Sequence, residues 1–222
     1  MPYAIDRGKR FFRSRESFVP RPLSDDDIAD FRERLCDAAE NLFAEHGAEA
    51  VTIRQLAESI GVSPMTPYRY FEHKDAILAA VRARGFQRHA ESLETAWRDT
   101  PGDARDKARA VVAAYVRFAF DHPQAYTLMF DINQPTEGQY PDFERAAERS
   151  RRTMTLYLEP IAAAGRLQGD PVLVGHMFWA AIHGAIMLQL TGRLGRDCEA
   201  DVLIPALMET ISAAVFTGDT ET

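Results

Sequence analysis

Residues Ala50 to Lys74 read AVTIRQLAESIGVSPMTPYRYFEHK. The segment contains two short helical patterns, and only three or four residues around Gly61 separate them. The second pattern is rich in hydroxyl groups and aromatic rings, and Glu72 is its one acid. Two helices joined by so short a turn are typical of a helix-turn-helix unit, whose second helix enters the major groove of DNA.

Local signals predict where the first two helices of the chain begin and end. Ser24 precedes three aspartates, which favours a helix start because carboxylates suit the positive end of a helix. Gly47 is a candidate for the end of that helix. Thr52 and Gln55 have the spacing of a capping box, and Gly61 follows the helix that they open.

The third helix is predicted over 63–71. Ser63 is its candidate cap, and Pro64 takes the first helical position, where proline is tolerated. Pro67 lies one turn further on and removes a backbone donor. Its position leaves two arrangements open, a tight start or regular turns that begin at Pro67 itself.

Helical periodicity continues to the end of the chain, and no convincing run of alternating strand residues interrupts it. The remaining helices are predicted over about 74–98, 103–121, 125–130, 142–164, 171–192 and 200–216. The sequence therefore predicts an all-α fold with three parts: a basic arm (1–23), an N-terminal three-helix DNA-binding domain (24–76), and a larger helical ligand-binding and dimerisation domain (77–222).

The distribution of charge is compatible with DNA, although the net charge of the chain is −7. Residues 1–90 carry 14 basic and 14 acidic side chains, whereas the rest of the chain carries 12 and 19. Salt screens charges beyond roughly 8 Å, so a phosphate responds to the local field. Two distant cysteines and the lack of an apolar leader indicate a cytoplasmic protein without a disulfide framework.

The candidate DNA contacts lie on the second and third predicted helices of the chain and at the start of the fourth. The Thr66 hydroxyl suits a base edge, and the Met65 side chain suits a thymine methyl group. Tyrosine and lysine side chains reach phosphate oxygens, whereas Pro67 offers an apolar wall to a base. The alternative for Tyr68 and Tyr70 is a place in the core, where we expect Phe71. The full candidate set is Thr52, Arg54, Ser63, Met65, Thr66, Pro67, Tyr68, Tyr70 and Lys74.

The segment over about 28–78 resembles the tetracycline-repressor (TetR) family of transcriptional regulators. The matching residues are Thr52, Leu56, Ala57, Gly61, Val62, Ser63, Tyr68, Phe71 and Lys74. The resemblance implies that Thr52 reaches a phosphate, that Tyr68 and Tyr70 touch the DNA backbone, and that Lys74 lies near a phosphate. Pro67 departs from the family pattern, which commonly has a leucine-like residue there.

A looser resemblance covers about residues 103–216. The run Trp179-Ala-Ala-Ile-His183-Gly184 is similar to a regulatory domain named for its Trp-His-Gly pattern. No formal charge lies between Pro171 and Gly192, so this helix approaches the composition of a membrane span. Two histidines and a glutamine interrupt it, and no basic cluster flanks it. We therefore predict a buried helix rather than a span.

The same helix supplies most of the predicted dimer interface. Its small residues at Ala180 and Gly184 would let a second helix approach closely. The predicted interface consists of Leu173, Met177, Ala180, Gly184, Met187, Leu207 and Ile211.

An effector site is predicted between about Val111 and His183, because large apolar side chains are dense there and polar groups are few. For His183 itself a hydrogen-bonded core histidine, a pocket residue and a metal ligand remain open. The predicted lining is Tyr115, Phe118, Met129, Phe130, Phe178, Trp179 and His183. We predict no metal site and no cofactor.

These observations predict a homodimeric repressor that binds a palindromic double-stranded operator and is released by a small apolar or amphipathic effector. One alternative is an all-helical enzyme that uses His183 or His122, but the sequence contains no nucleophile-base-orienter set and no phosphate loop. Another is a ligand sensor that has lost its operator, against which the arginines of the basic arm argue.

Overall fold

The computed structural model describes residues 24–131, 137–195 and 198–217. Within these ranges the chain forms nine α-helices, and the only strand-like feature is an isolated bridge between Leu167 and Phe216. The prediction of an all-α fold is confirmed, whereas the basic arm predicted over 1–23 lies outside the described residues. The helices are α1 (Asp25–His46), α2 (Ile53–Ser59), α3 (Lys74–Asp99), α4 (Ala104–Asp121), α5 (Pro123–Met129), α6 (Pro141–Arg152), α7 (Leu158–Ala163), α8 (Pro171–Leu190) and α9 (Ala200–Val215).

Short-range caps determine where most of these helices begin. Ser24 and Asp27 form a capping box at α1, and Asp103 and Asp106 form another at α4. The Asp170 carboxylate accepts the first free N–H groups of α8. Each cap satisfies backbone donors that have no partner inside the helix. At the other end of α1, Gly47 adopts a φ of +79°, in the region that favours glycine.

The helix predicted over 142–164 is in fact two helices, α6 and α7, separated by turns over 153–157. Pro160 accounts for the interruption, because it has no N–H to donate to the carbonyl of Leu156 and its ring crowds that group. The hydroxyl of Thr153 also donates to the carbonyl of Ser150 at 2.6 Å, which competes with continued helical bonding.

The helices enclose two hydrophobic cores. The first lies between α1, α2 and the start of α3, and its buried side chains include Leu35, Phe43, Leu56, Phe71 and Ile77. The second is formed by the helices from α3 to α9, and its buried side chains include Phe86, Leu93, Phe118, Phe143 and Ile186. Helix α3 is 26 residues long and contributes to both. The domain boundary predicted after residue 76 falls near the start of this shared helix and stays a prediction.

The short helix α5 also contacts both cores. Leu128 belongs to the first core, whereas Tyr126 and Met129 belong to the second. The carbonyl of Met129 accepts a hydrogen bond of 2.8 Å from the buried guanidinium of Arg82 on α3. An added Cβ at Gly85 would lie 2.9 Å from Cγ of Met129, so α5 approaches α3 closely at this glycine. Helix α5 is therefore fixed to the helix that joins the two cores.

Candidate functional site

The helix-turn-helix unit begins with α2, whose first turn depends on Thr52. Its N–H donates to Oε1 of Gln55 at 2.8 Å, and the N–H of Gln55 donates to the Thr52 hydroxyl at 3.2 Å. This is the capping box that the spacing predicts. After α2 the chain reverses at Gly61, where φ is +71°, and the N–H of Val62 donates to the carbonyl of Ala57.

Residues 63–71 form tight turns instead of the predicted α-helix. Pro67 cannot donate to the Ser63 carbonyl, which accepts a 2.8 Å bond from the N–H of Thr66. A 3₁₀-helix then covers Pro67–Arg69 and closes with a 3.0 Å bond from the N–H of Tyr70 to the Pro67 carbonyl. The prediction of a regular helix here is wrong, and of the two arrangements that Pro67 allows, the structure has the tight start.

One side of this 3₁₀-helix is anchored in the first core. Pro67 and Phe71 are both buried, as expected for Phe71. The burial of Pro67 contradicts the prediction that its ring forms a wall for a base. A prolyl ring has no polar group, so the core accepts it without a desolvation cost.

The opposite side of the 3₁₀-helix faces outward. Met65 is 69% exposed and Tyr68 is 50% exposed. Ser63 and Arg69 are exposed as well, and Thr66 is half-buried. This surface combines a phenol, hydroxyl groups and a guanidinium, which can bind phosphate oxygens and base edges, with a thioether side chain that suits a thymine methyl group.

Arg32 of α1 holds the end of residues 63–71, the recognition segment, in place. Its Nη1 donates to the carbonyl of Tyr70 at 2.8 Å, and its guanidinium lies 4.2 Å from the centre of the Phe71 ring. The ring of Tyr70 stacks on Phe31 at 4.0 Å between centroids. Tyr70 is therefore half-buried against α1. Sequence reasoning missed Arg32, because no local spacing relates it to a residue 38 positions away.

Lys74 has a structural role that the sequence did not predict. Its Nζ donates to the carbonyls of Ala48 at 2.8 Å and Glu49 at 3.2 Å. These carbonyls lie in the loop between α1 and α2, so the ammonium group joins that loop to the start of α3. An ammonium group has three donors, and one remains for a phosphate.

The two candidate contacts on α2 lie at its exposed start. Thr52 is exposed although its side chain takes part in the capping box. Arg54 is also exposed, and its Nε lies 2.7 Å from Oε1 of Glu58 one turn later. An exposed ion pair of this kind is weak and exchanges readily for a phosphate contact.

In the second core, polar groups that were predicted to line a pocket take part in a hydrogen-bond network instead. Nε1 of Trp179 donates to the hydroxyl of Tyr115 at 3.0 Å, and that hydroxyl lies 2.9 Å from the hydroxyl of Tyr126. The Tyr126 hydroxyl lies 2.7 Å from Nδ1 of His183. Burial raises the pKa of both tyrosines and lowers the pKa of His183, so all three groups are held in their neutral forms.

A large cavity of about 1220 Å³ opens beside this core. One face of α4 and one face of α9 form its walls, and α7 and α8 contribute side chains between them. The apolar part of the lining includes Val112, Val116, Tyr157, Ile161, Phe178, Ile204, Met208 and Phe216. Five charged residues complete it, namely Arg105, Arg109, Arg117, Asp201 and Glu209.

Of the seven predicted effector contacts, only Phe178 lines this cavity. Tyr115 and Trp179 border a second void of about 20 Å³, which is too small for an effector. Met129 is buried in the core, and Phe118 packs against the ring of His89. Phe130 and His183 pack edge to face at 4.5 Å. The α9 residues of the cavity were missed, because apolar periodicity on that helix indicates burial without indicating the partner.

Models of two families match this chain. Residues 35–81 match the model for bacterial regulatory proteins of the tetR family, and residues 108–211 match the model for the tetracyclin repressor-like C-terminal domain. The chain belongs to the TetR family. The residues of the Trp-His-Gly resemblance lie inside the second match. The family consists of transcriptional regulators, which confirms the predicted class and sets aside an enzyme that uses His183 or His122.

Relatives of known sequence support the assignment over most of the chain. The uncharacterized HTH-type transcriptional regulator Rv0681 of Mycobacterium tuberculosis is 25% identical over 186 residues, which cover 83% of this chain and 81% of the relative. The HTH-type transcriptional repressor KstR of Rhodococcus jostii is 35% identical over 96 residues, which cover 40% of this chain and 43% of KstR.

A solved structure has the same fold. It is a protein of unknown function from Rhodococcus sp. RHA1, with a TM-score of 0.73 and 27% identity. The similarity covers 84% of this TetR-family chain and 95% of the other.

The predicted dimer stripe of this TetR-family chain lies on the outer face of α8. Leu173 is 62% exposed and Met177 is 42% exposed, and Ala180 is exposed as well. A Cβ added at Gly184 would meet no atom within 4 Å. Three further residues of the predicted interface are half-buried, namely Met187, Leu207 and Ile211.

Helix α8 has an apolar composition that DNA binding does not explain. Among the described residues, α8 is the one helix that is long and apolar enough to cross a membrane. Its inner face packs into the second core through Val174, Phe178, Ile182 and Ile186.

No group of three or more potential metal ligands occurs in residues 24–131, 137–195 and 198–217.

Proposed function

We propose that this protein is a cytoplasmic homodimeric repressor that binds a palindromic DNA operator and leaves it when a small apolar or amphipathic effector binds. The observation that carries the DNA-binding part is the two-sided recognition segment. Pro67 and Phe71 anchor it, whereas the side chains of Met65 and Tyr68 are exposed. Large exposed side chains on a rigid turn are suited to contacts with a second molecule.

The two apolar outer helices support the homodimer. Leu173, Met177 and Leu188 are exposed on α8, and Val202 is 63% exposed on α9. A pair of such helices from each subunit would form a four-helix interface that removes these side chains from water. Two recognition segments would then face successive major grooves, which are about 34 Å apart.

The cavity supports control by an effector. Its volume exceeds what a small molecule of ordinary size needs, and its lining is mostly apolar with a few charged groups. An effector that binds more tightly to a subunit arrangement with a different spacing of the recognition segments would shift the population away from the operator-bound state. Repression is the direction that we propose, and one relative, KstR, is named a repressor.

Operator binding can be tested with DNA that flanks the protein's own reading frame. We expect specific binding in a gel shift, and we expect Tyr68→Ala to weaken it at least tenfold with unchanged helical content. The slope of log affinity against log salt concentration should decrease by about one for each lost phosphate contact. Phe120→Ala is the matched control, since Phe120 is also an exposed aromatic residue but lies on α4.

Equal binding by the wild type and Tyr68→Ala would place the DNA contacts elsewhere. No specific binding to any flanking DNA would favour a sensor that has lost its operator. A reporter under the same flanking DNA gives the direction of control, because deletion of a repressor raises expression and deletion of an activator lowers it.

A further inference from the structure

The two helices that form the walls of the large cavity, α4 and α9, run in opposite directions. The guanidinium of Arg105, near the start of α4, lies 5.7 Å from the ring of Phe216, just after the end of α9. Arg117 and Asp201, from the other ends of the two helices, line the same cavity. Arg117 lies twelve positions after Arg105, which corresponds to about 18 Å at the rise of an α-helix. The cavity is therefore an elongated groove.

Apolar side chains occupy the middle of the groove. Val112 and Val116 lie on the α4 wall, and Ile204 and Met208 lie on the α9 wall. Phe178 of α8 stacks with Phe216 at 6.1 Å between ring centres. An apolar chain in this groove would leave water along most of its length, which is a favourable change of about 0.8 kcal/mol per buried methylene group.

Two arginines of the groove differ in whether they have a hydrogen-bond partner. Arg109 donates to the Asp106 carboxylate at 3.0 Å, on its own helix. Arg117 makes no hydrogen bond or ion pair with any described residue, and it is exposed where it lines the groove. An arginine fork binds a carboxylate through two parallel hydrogen bonds. Arg117 therefore offers a position for an anionic group at one end of the groove.

Two acids lie on the opposite wall and bear on the sign of the ligand's charge. Asp201 is in the first turn of α9, where the positive end of the helix compensates a carboxylate. Glu209 lies in the helix interior, one residue beyond the apolar Met208. Arg109 is already paired with Asp106, so two arginines remain against two acids. Because the positive end of α9 compensates Asp201, the groove favours an anion over a cation.

We infer that the groove binds an elongated amphipathic anion, a long-chain carboxylic acid or a close analogue, with its apolar chain between α4 and α9 and its carboxylate at Arg117. This inference rests on the proposed function, because it names the chemical class of the effector. It also gives α9 a second role beside the proposed dimer contact, so that a bound chain would press on the helix of the interface.

The test compares three probes of equal chain length with the purified full chain: dodecanoate, dodecanol and dodecylammonium, each below its micellar concentration. We expect calorimetry to show the tightest binding for dodecanoate and at least tenfold weaker binding for the other two. Arg117→Gln should reduce dodecanoate binding to the level of dodecanol. Arg34→Gln, an exposed arginine on α1, is the matched control and should bind like the wild type.

A second variant tests whether the probes bind in the groove, independently of their charge. Ala113 is exposed on the α4 wall, so Ala113→Trp should fill the groove without disturbing the core and should abolish binding of every probe. Dodecanol or dodecylammonium binding as tightly as dodecanoate, or wild-type affinity in Arg117→Gln, would overturn the anion inference. No binding by any probe would overturn it as well, whereas operator binding without ligand tests the proposed function independently.

Discussion

The hydroxyl of Tyr126 on α5 lies 2.7 Å from Nδ1 of His183 on α8. The same hydroxyl lies 2.9 Å from that of Tyr115 on α4, so it occupies the centre of a buried polar network. Two residues further along α5, Leu128 packs into the core beneath the helix-turn-helix unit. The Tyr126 side chain thus joins the helix of the proposed dimer interface to an element that contacts the DNA-binding core.

Replacing Tyr126 with phenylalanine should destabilise the fold. The ring would still fill its space, but the Tyr115 hydroxyl and Nδ1 of His183 would each lose a buried partner. We expect a loss of about 1–3 kcal/mol in the free energy of unfolding, measured by urea denaturation at fixed protein concentration.

Tyr140→Phe is the control for this change. The Tyr140 hydroxyl is only partly buried and makes no hydrogen bond with a described residue, so its removal should alter the free energy of unfolding by less than about 0.5 kcal/mol. Equal losses in the two variants would mean that the network contributes no specific stability.

His89 should make stability depend on pH. Burial lowers its pKa to about 3 from the ordinary value of 6.5. Between these two values the unfolded chain binds a proton that the folded chain excludes, so stability falls as the pH decreases through this window. We expect His89→Leu to remove about 1–2 kcal/mol of the stability difference between pH 6.5 and about pH 5.

The comparison is made by urea unfolding of both proteins at each pH. Groups other than His89 titrate alike in the two, so the difference between the two pH profiles reports this histidine. A variant whose profile runs parallel to that of the wild type would show that His89 takes up a proton within the fold despite its burial.

Helix boundaries were predictable where their determinants lie within a few residues. Ser24, Thr52 and Gly47 act on their own turns, and the structure has the predicted caps at all three. The shape of the recognition segment was less predictable, because Pro64 and Pro67 each allow a helix start and only the competing hydrogen bonds decide between them. The interruption before Pro160 had a signal in the sequence that helical periodicity obscured.

The effector region was the least predictable part, since it depends on packing between distant helices. Tyr126 was not predicted to line the pocket, yet its hydroxyl makes a hydrogen bond with Nδ1 of His183, which is 57 positions away. Aromatic residues that are dense in the sequence therefore fill the core instead of lining a site. The groove lies between α4 and α9, and no residue spacing within either helix encodes their relative placement.

Lys74→Ala should reduce stability as well as DNA affinity. Its ammonium group would no longer bind the carbonyls of Ala48 and Glu49, and we expect a loss of about 1–3 kcal/mol in the free energy of unfolding. Arg69→Ala separates the two effects, because Arg69 is exposed and makes no hydrogen bond with a described residue. That variant should bind DNA more weakly with unchanged stability. Wild-type stability in Lys74→Ala would show that the loop holds its shape without the lysine.

Gly184 and Gly175 lie on opposite faces of α8, and their substitution should have different effects. A Cβ at Gly175 would lie 2.8 Å from the carbonyl oxygen of Met154, so Gly175→Ala should destabilise each subunit. A Cβ at Gly184 meets nothing within 4 Å, so Gly184→Arg should leave the subunit folded. The arginine would nevertheless place a charge in the proposed interface, and we expect a monomer in analytical ultracentrifugation at micromolar concentration. Ala29→Arg adds the same charge to an exposed position on α1 and should remain dimeric. If Gly184→Arg sediments as a dimer with wild-type affinity, the interface must lie on another face, because a buried unpaired charge between two apolar helices costs too much to leave association unchanged.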